Sequence, residues 1–225
     1  MSVDFVTYCC PKDVHRTYAG WDALIGSHKY AFNEIILIRQ RCRGIDAGVL
    51  DASVRVLETD DYPDIRKEFD IDDDDPVANA VAPPDNRYYW KWHCWNPLIA
   101  LKESSADYIM FTDCDNLLDG DIEGDSWVDR GLHILQTMPE ILMVCPNQWH
   151  EQGGNDRVKA ISQCMYLCER KRFLELDWNT PLPEGVSPGS YHYSVEGRLW
   201  RYTQKHNLYR MMLKGPPLII HQAWL

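Results

Sequence analysis

Tyr108-Ile109-Met110-Phe111-Thr112-Asp113-Cys114-Asp115-Asn116 is the stretch on which the reading of this chain turns. It is an apolar run that ends in two carboxylates spaced i, i+2. An apolar, partly β-branched run of this length predicts a buried strand. Side chains alternate along a strand, so the spacing predicts that Asp113 and Asp115 share one side. Carboxylates held together repel unless a cation sits between them. Hard oxygen ligands favour Mg²⁺ or Mn²⁺, which typically bridge protein and substrate phosphates. The motif therefore points to metal-assisted chemistry on a phosphate-bearing molecule.

Working outward, Asp4 to Cys9 reads as a first strand and Arg16 to Ile25 as a helix. Glu34 to Arg39 and Val54 to Leu57 read as further strands. Apolar strands separated by helices imply a parallel sheet covered by helices, the α/β class. Asn96-Pro97 marks a helix start within 86–103, because proline is suited to the first helical turn. Beyond the aspartates, Trp127 to Thr137 reads as a helix and Ile141 to Val144 as a strand. Ala160 to Cys168 reads as a strand, Lys171 to Leu176 and Val195 to His206 as helices, and Leu218 to His221 as a last strand. Asp70 to Asp75 carries five aspartates and is followed by Pro76, Pro83 and Pro84, so it reads as a solvated loop. No repeat and no linker divides the 225 residues, so one domain is expected.

The net charge of −11 argues against a dominant nucleic-acid footprint, although Arg39, Arg41, Arg43 and Arg170-Lys171-Arg172 form basic spots. Nine Trp and twelve Tyr supply aromatics for a core or for a sugar or base pocket. Met1-Ser2-Val3-Asp4 leads straight into a strand, so no signal peptide is expected. The eight cysteines show no zinc-ligand spacing, and reduced thiols in the cytoplasm are expected. No apolar run is long enough to span a bilayer.

The order of elements resembles the GT-A class of nucleotide-sugar glycosyltransferases. The matching pieces are Val6-Thr7-Tyr8, the strand from Tyr108 to Asp115, the stretch Gln163 to Arg172, Val195-Glu196-Gly197-Arg198-Leu199 and Ile219-Ile220-His221. The resemblance implies a Rossmann-like N-terminal half over 1–118 that binds the donor, a UDP-sugar by default. A mixed half over 119–225 would bind the acceptor. It implies Mn²⁺ or Mg²⁺ on Asp115 and Asp113, with His221 completing the coordination. Thr7 and Tyr8 would touch the nucleotide and Asp60 or Asp61 the base. Arg87 or Lys91 would pair with ribose or phosphate, and Asp113 with the ribose or the metal. Glu196 would be the general base, although the acidic pair of inverting members is not there, since Val195 and Gly197 flank it. Trp149 and His150 would read the acceptor, a glycan, a small molecule or a hydroxymethylated DNA base.

Other readings compete. A haloacid-dehalogenase-type phosphatase also opens with an apolar strand into D-x-D, but it continues with Gly and then Thr or Val, where this chain has Asn116 and Leu117. A non-catalytic nucleotide-sugar-binding module would keep the fold and show no turnover. Asp119 to Gly124 imitates the start of an EF-hand loop, yet Arg130 stands where the twelfth-position Glu is required.

Overall fold

The structure is a computed structural model that describes residues 1–46, 48–71, 95–119, 126–148, 157–158, 164–187, 192, 194–215 and 217–221. For Gln148, Val158, Leu218, Ile220 and His221 the description covers the backbone alone.

Strand β1 (Val3–Cys9) is buried along its whole length, as a strand covered on both faces must be. The chain then folds into two short helices, α1 (Val14–Ala19) and α2 (Trp21–Gly26). The sequence predicts one helix here. The structure splits it at Gly20, which closes α1 and opens α2. Glycine in a helix interior costs about 1 kcal/mol relative to alanine, enough to permit a break. Strands β2 (Ile35–Arg39) and β3 (Val54–Glu58) follow, then a 3-10 turn at Thr59–Asp61 and the short helix α3 (Ile65–Glu68). Helix α4 (Asn96–Glu103) begins at the Asn-Pro pair, as predicted. It leads into β4 (Tyr108–Asp113).

The later elements are β5 (Asn116–Asp119), α5 (Trp127–Thr137), β6 (Ile141–Cys145), β7 (Asn147–Gln148), β8 (Arg157–Val158) and β9 (Met165–Glu169). Then come α6 (Arg170–Leu174), α7 (Val195–His206), β10 (Tyr209–Met212) and β11 (Leu218–His221). The strands β5 and β10 are additions to the sequence reading. Asn116–Asp119 is too short to show periodicity, and Tyr209-Arg210-Met211-Met212 carries a buried arginine that breaks an apolar run.

The main sheet runs β3-β2-β1-β4-β9-β6-β10-β8. Pairings from β3 through β4 are parallel, as is β6 with β10. Strand β9 is antiparallel to both β4 and β6, and β8 is antiparallel to β10. The fold is α/β, with a parallel first half and a mixed second half, as the sequence predicts. A smaller sheet, β5-β11-β7, adjoins it in the chain.

Alternation along the strands assigns two cores. Val6, Tyr8, Phe111 and Tyr166 pack with α4 and α7 on one face, through Leu98, Leu101, Val195 and Leu199. Val3, Phe5, Met110 and Leu167 pack with α2 and α5 on the other, through Leu24, Trp127 and Leu132. Full burial of each large aliphatic or aromatic side chain is worth about 1.5–3 kcal/mol. Gly131 lets α5 lie close to this second face, because a Cβ there would come within 2.9 Å of Leu167 Cδ2. His28 is sealed in the same core, where Trp127 Nε1 donates to its Nδ1 at 3.1 Å and Phe5 and Phe32 flank its ring. Burial lowers the His28 pKa to about 3, so the ring is neutral.

Candidate active site

Registers fix which residues meet at the carboxyl ends of the parallel strands. Tyr8 of β1 stands opposite Asp113 of β4, Cys9 opposite Arg39 of β2, and Arg39 opposite Glu58 of β3. The strand order reverses between β1 and β4, since β2 and β3 lie on one side and β4 on the other. Open α/β sheets bind ligands in the crevice at such a switch point, outside the carboxyl ends of the strands. Tyr8 and Asp113 are the pair that flanks it.

The aspartates do not share a side by strand alternation. Strand β4 ends at Asp113, and Cys114 and Asp115 form a turn into β5. One carbonyl holds that turn. The Cys164 carbonyl accepts from the Asp113 backbone N–H at 2.9 Å, from Asn116 Nδ2 at 2.6 Å and from Thr112 Oγ1 at 3.3 Å. The turn is thus tied to the start of β9, which gives the carboxylates a fixed base.

Asp113 is partly buried as a residue, but its Oδ1 is sealed from solvent and accepts no hydrogen bond. Its carboxyl is held well above the usual carboxylate range, first by burial, then by the charges of Asp115 and Glu196. Glu196 reaches this place from the first turn of α7. Ser194 caps that helix, its Oγ accepting from the Gly197 N–H at 3.0 Å. Val195 and Leu199 bury the helix on the same sheet face as Phe111, which brings the Glu196 end over Asp113. An acidic side chain in the first turn is also favoured by the helix dipole.

His221 enters by backbone register. Strand β11 runs antiparallel to β5, and His221 stands opposite Asn116, the residue after Asp115. Three separated segments of sequence therefore converge: Asp113 and Asp115, Glu196, and the His221 backbone position. Among the described residues, no group of three or more His, Cys, Asp or Glu side chains is close enough to hold a metal by itself.

Thr7 lies on β1 with its Oγ1 buried and unpartnered; strand alternation turns it to the face opposite Tyr8 and Asp113. Asp61 ends the 3-10 turn after β3 and is exposed and ion-paired with Arg43, while its neighbour Asp60 is exposed. Arg87, Lys91, Trp149 and His150 lie outside the described residues.

The sequence reading passed over Arg39 and Glu58 as site residues. Their side chains meet at 3.2 Å across the ends of β2 and β3, and Glu58 Oε2 is buried without a partner. Arg39 also donates to the Cys42 carbonyl at 2.6 Å and the Ile45 carbonyl at 3.1 Å, so it ties down the loop after β2. The available signal was positional: each is the charged residue closing an apolar parallel strand.

The seven described cysteines are free thiols. Among the described residues, no helix is long and apolar enough to cross a membrane.

No protein-family model matches the chain, and no curated protein does. Solved structures do match. Glucosyl-3-phosphoglycerate synthase from Mycobacterium tuberculosis, in complex with Mn²⁺, UDP and phosphoglyceric acid, is 15% identical, with 98% of this chain and 70% of that chain covered and a TM-score of 0.45. The same enzyme with Mn²⁺, UDP-glucose and phosphoglyceric acid is 17% identical over 98% of this chain and 71% of that chain, with a TM-score of 0.46. A mycobacterial protein is 17% identical over 98% and 67% of the two chains, with a TM-score of 0.46.

Proposed function

We propose that this protein is a metal-dependent glycosyltransferase that moves a sugar from a nucleotide-diphosphate donor, a UDP-sugar by default, to a hydroxyl acceptor. The observation that carries the reading is Asp113. It closes the central parallel strand at the switch point, has a sealed oxygen with no donor, and faces Asp115 and Glu196. A buried carboxylate oxygen without a donor is expensive unless a cation or a ligand completes it.

The donor set fits Mn²⁺ or Mg²⁺. Asp113 and Asp115 supply hard oxygens, and His221 stands beside them by register. Such ions usually bind through one or two carboxylates plus substrate phosphates, so a compact protein cage of three or more ligands is not required. When bound, the ion supplies charge neutralisation for the departing diphosphate.

The chain's own residues do the rest. Tyr8, opposite Asp113, borders the crevice on the nucleotide side. Asp61, Arg87 and Lys91 are assigned to the base, ribose and phosphate. Glu196, on the other side of Asp113, is assigned to take the proton from the acceptor hydroxyl, with Trp149 and His150 reading the acceptor. Residues 1–118 then form the donor half and 119–225 the acceptor half. The acceptor class is a glycan, a small molecule or a hydroxymethylated DNA base, and the site of action is the cytoplasm.

The test is a panel of nucleotide sugars assayed for Mn²⁺-dependent donor hydrolysis. One donor should be cleaved faster than the others, and cleavage should stop on chelation. Release of phosphate from phosphomonoesters, with no nucleotide-sugar cleavage, would favour the phosphatase reading instead. Binding of a nucleotide sugar without any turnover would favour the binding module.

A further inference from the structure

Tyr166 is a buried phenol that no role assigned above uses. It is 2% exposed and stands opposite Phe111 in the antiparallel register of β4 and β9. Asp113 is two residues beyond Phe111 on the same strand, so Tyr166 and Asp113 share a face as diagonal neighbours. Diagonal cross-strand neighbours lie about 7–8 Å apart at their backbones, within reach of an aromatic side chain.

The ring is held on both sides. Phe111 stacks on it at 5.5 Å with an interplanar angle of 30°, and Phe173 of α6 at 6.2 Å and 17°. Tyr8 continues the row, stacked on Phe111 at 5.8 Å and 22°. The two phenols therefore border Asp113 from both flanking strands, β1 and β9. The end of α7 that carries Glu196 packs over the same row through Val195 and Leu199.

Charge placement agrees with this geometry. Burial, together with the charges of Cys168, Asp113 and Glu196, holds the Tyr166 hydroxyl well above the usual phenol range. A phenol in that state keeps its proton at every working pH and can serve as a donor.

Resting on the glycosyltransferase reading, we propose that Tyr166 is a positioning residue: held between Phe111 and Phe173, its hydroxyl donates to the ionised Asp113 carboxylate and orients it toward the cation and donor. It completes an acceptor atom that the protein otherwise leaves sealed and unpartnered. Groups that orient a metal-ligating carboxylate commonly matter about 10–100-fold for metal affinity.

The experiment is calorimetric titration of Mn²⁺ with UDP into the wild-type protein, Tyr166→Phe and Phe173→Leu, with melting curves for each. Tyr166→Phe keeps the ring row and loses the hydroxyl; Phe173→Leu loosens the row and keeps the hydroxyl. The expected result is binding weakened about tenfold or more in Tyr166→Phe, with a near wild-type melting temperature. Phe173→Leu should melt lower and bind within about threefold of wild type, a gap smaller than the orienting effect. Equal binding by wild type and Tyr166→Phe would overturn the positioning role and leave the glycosyltransferase reading standing. Weakening in both variants in proportion to lost stability would show a packing role and overturn it too. A wild-type protein that binds neither Mn²⁺ nor UDP would overturn both proposals.

Discussion

Asp113 at the end of β4 and Glu196 in the first turn of α7 face each other at the carboxyl edge of the sheet, and the charge of Glu196 makes Asp113 harder to ionise. Asp113 is also beside Asp115 and has an oxygen with no donor. An arrangement that repels its own charge is stable only when something compensates, which is why ligand sites often cost stability.

Asp113→Asn should therefore stabilise the metal-free protein at neutral pH while weakening metal binding. The folded carboxyl holds its proton more tightly than the unfolded chain does. Above the unfolded value, near 4, the native state binds more protons, so stability falls as pH rises through the window up to the raised folded value. Asparagine removes that loss. The gain should be about 1 kcal/mol or more, the scale of an uncompensated buried polar group. Melting temperatures without metal at pH 5 and pH 8 check this: the variant's advantage should be larger at pH 8. A variant that melts below wild type at both values would contradict it.

Asp115→Asn should abolish Mn²⁺-stimulated turnover with little change in folding. The residue sits in a turn and not in a strand, and the Cys164 carbonyl that fixes this turn bonds Thr112, Asp113 and Asn116, not the Asp115 side chain. Circular dichroism should show an unchanged transition within about 1 kcal/mol, the range of surface substitutions. Turnover at the wild-type rate would remove Asp115 from the metal assignment.

The parallel half was legible in the sequence because its strands are continuous apolar runs, each closed by a polar or charged residue. Val195–His206 was legible at both ends, since Ser194 caps its start and Asn207 ends it in the left-handed region at φ 52°. The placement of Asp115 was misread. Period-two alternation holds only while the strand lasts, and β4 stops at Asp113. The Arg39–Glu58 pair was not visible, because two charges far apart in sequence meet only through the register of β2 and β3. Nor could the sequence show that Glu196 and Asp113 approach, which depends on how α7 lies over the sheet.

The core histidine predicts an acid limb of instability. His28 titrates near 3 in the folded protein because burial opposes its charge. Unfolded histidine titrates near 6.5, so below that value the unfolded chain binds more protons and stability falls as pH falls. Each unit between those limits should cost about 1.4 kcal/mol from this group. His28→Gln keeps an acceptor for Trp127 Nε1 and removes the titration. The variant should lose stability less steeply than wild type between pH 6 and pH 4 in urea unfolding. Parallel curves would mean that other groups carry the acid limb.

Glu196→Gln separates the two sides of the site. The substitution keeps the size of the side chain and removes its charge. If Glu196 takes the acceptor proton, transfer should fall by about 10²-fold or more, the scale of general-base loss. Donor binding should survive, because Tyr8 and the β1–β4 crevice are untouched, and removing one repelling charge should make Asp113 easier to ionise. Mn²⁺–UDP affinity should therefore hold or rise while transfer collapses. If Glu196 only steadies the first turn of α7, the change should cost roughly 0.3–1 kcal/mol of stability, with transfer near normal. Parallel measurement of Mn²⁺–UDP affinity and the transfer rate distinguishes these cases. A normal transfer rate in the Gln variant would refute the base assignment and leave the acceptor to be deprotonated by another group or by none.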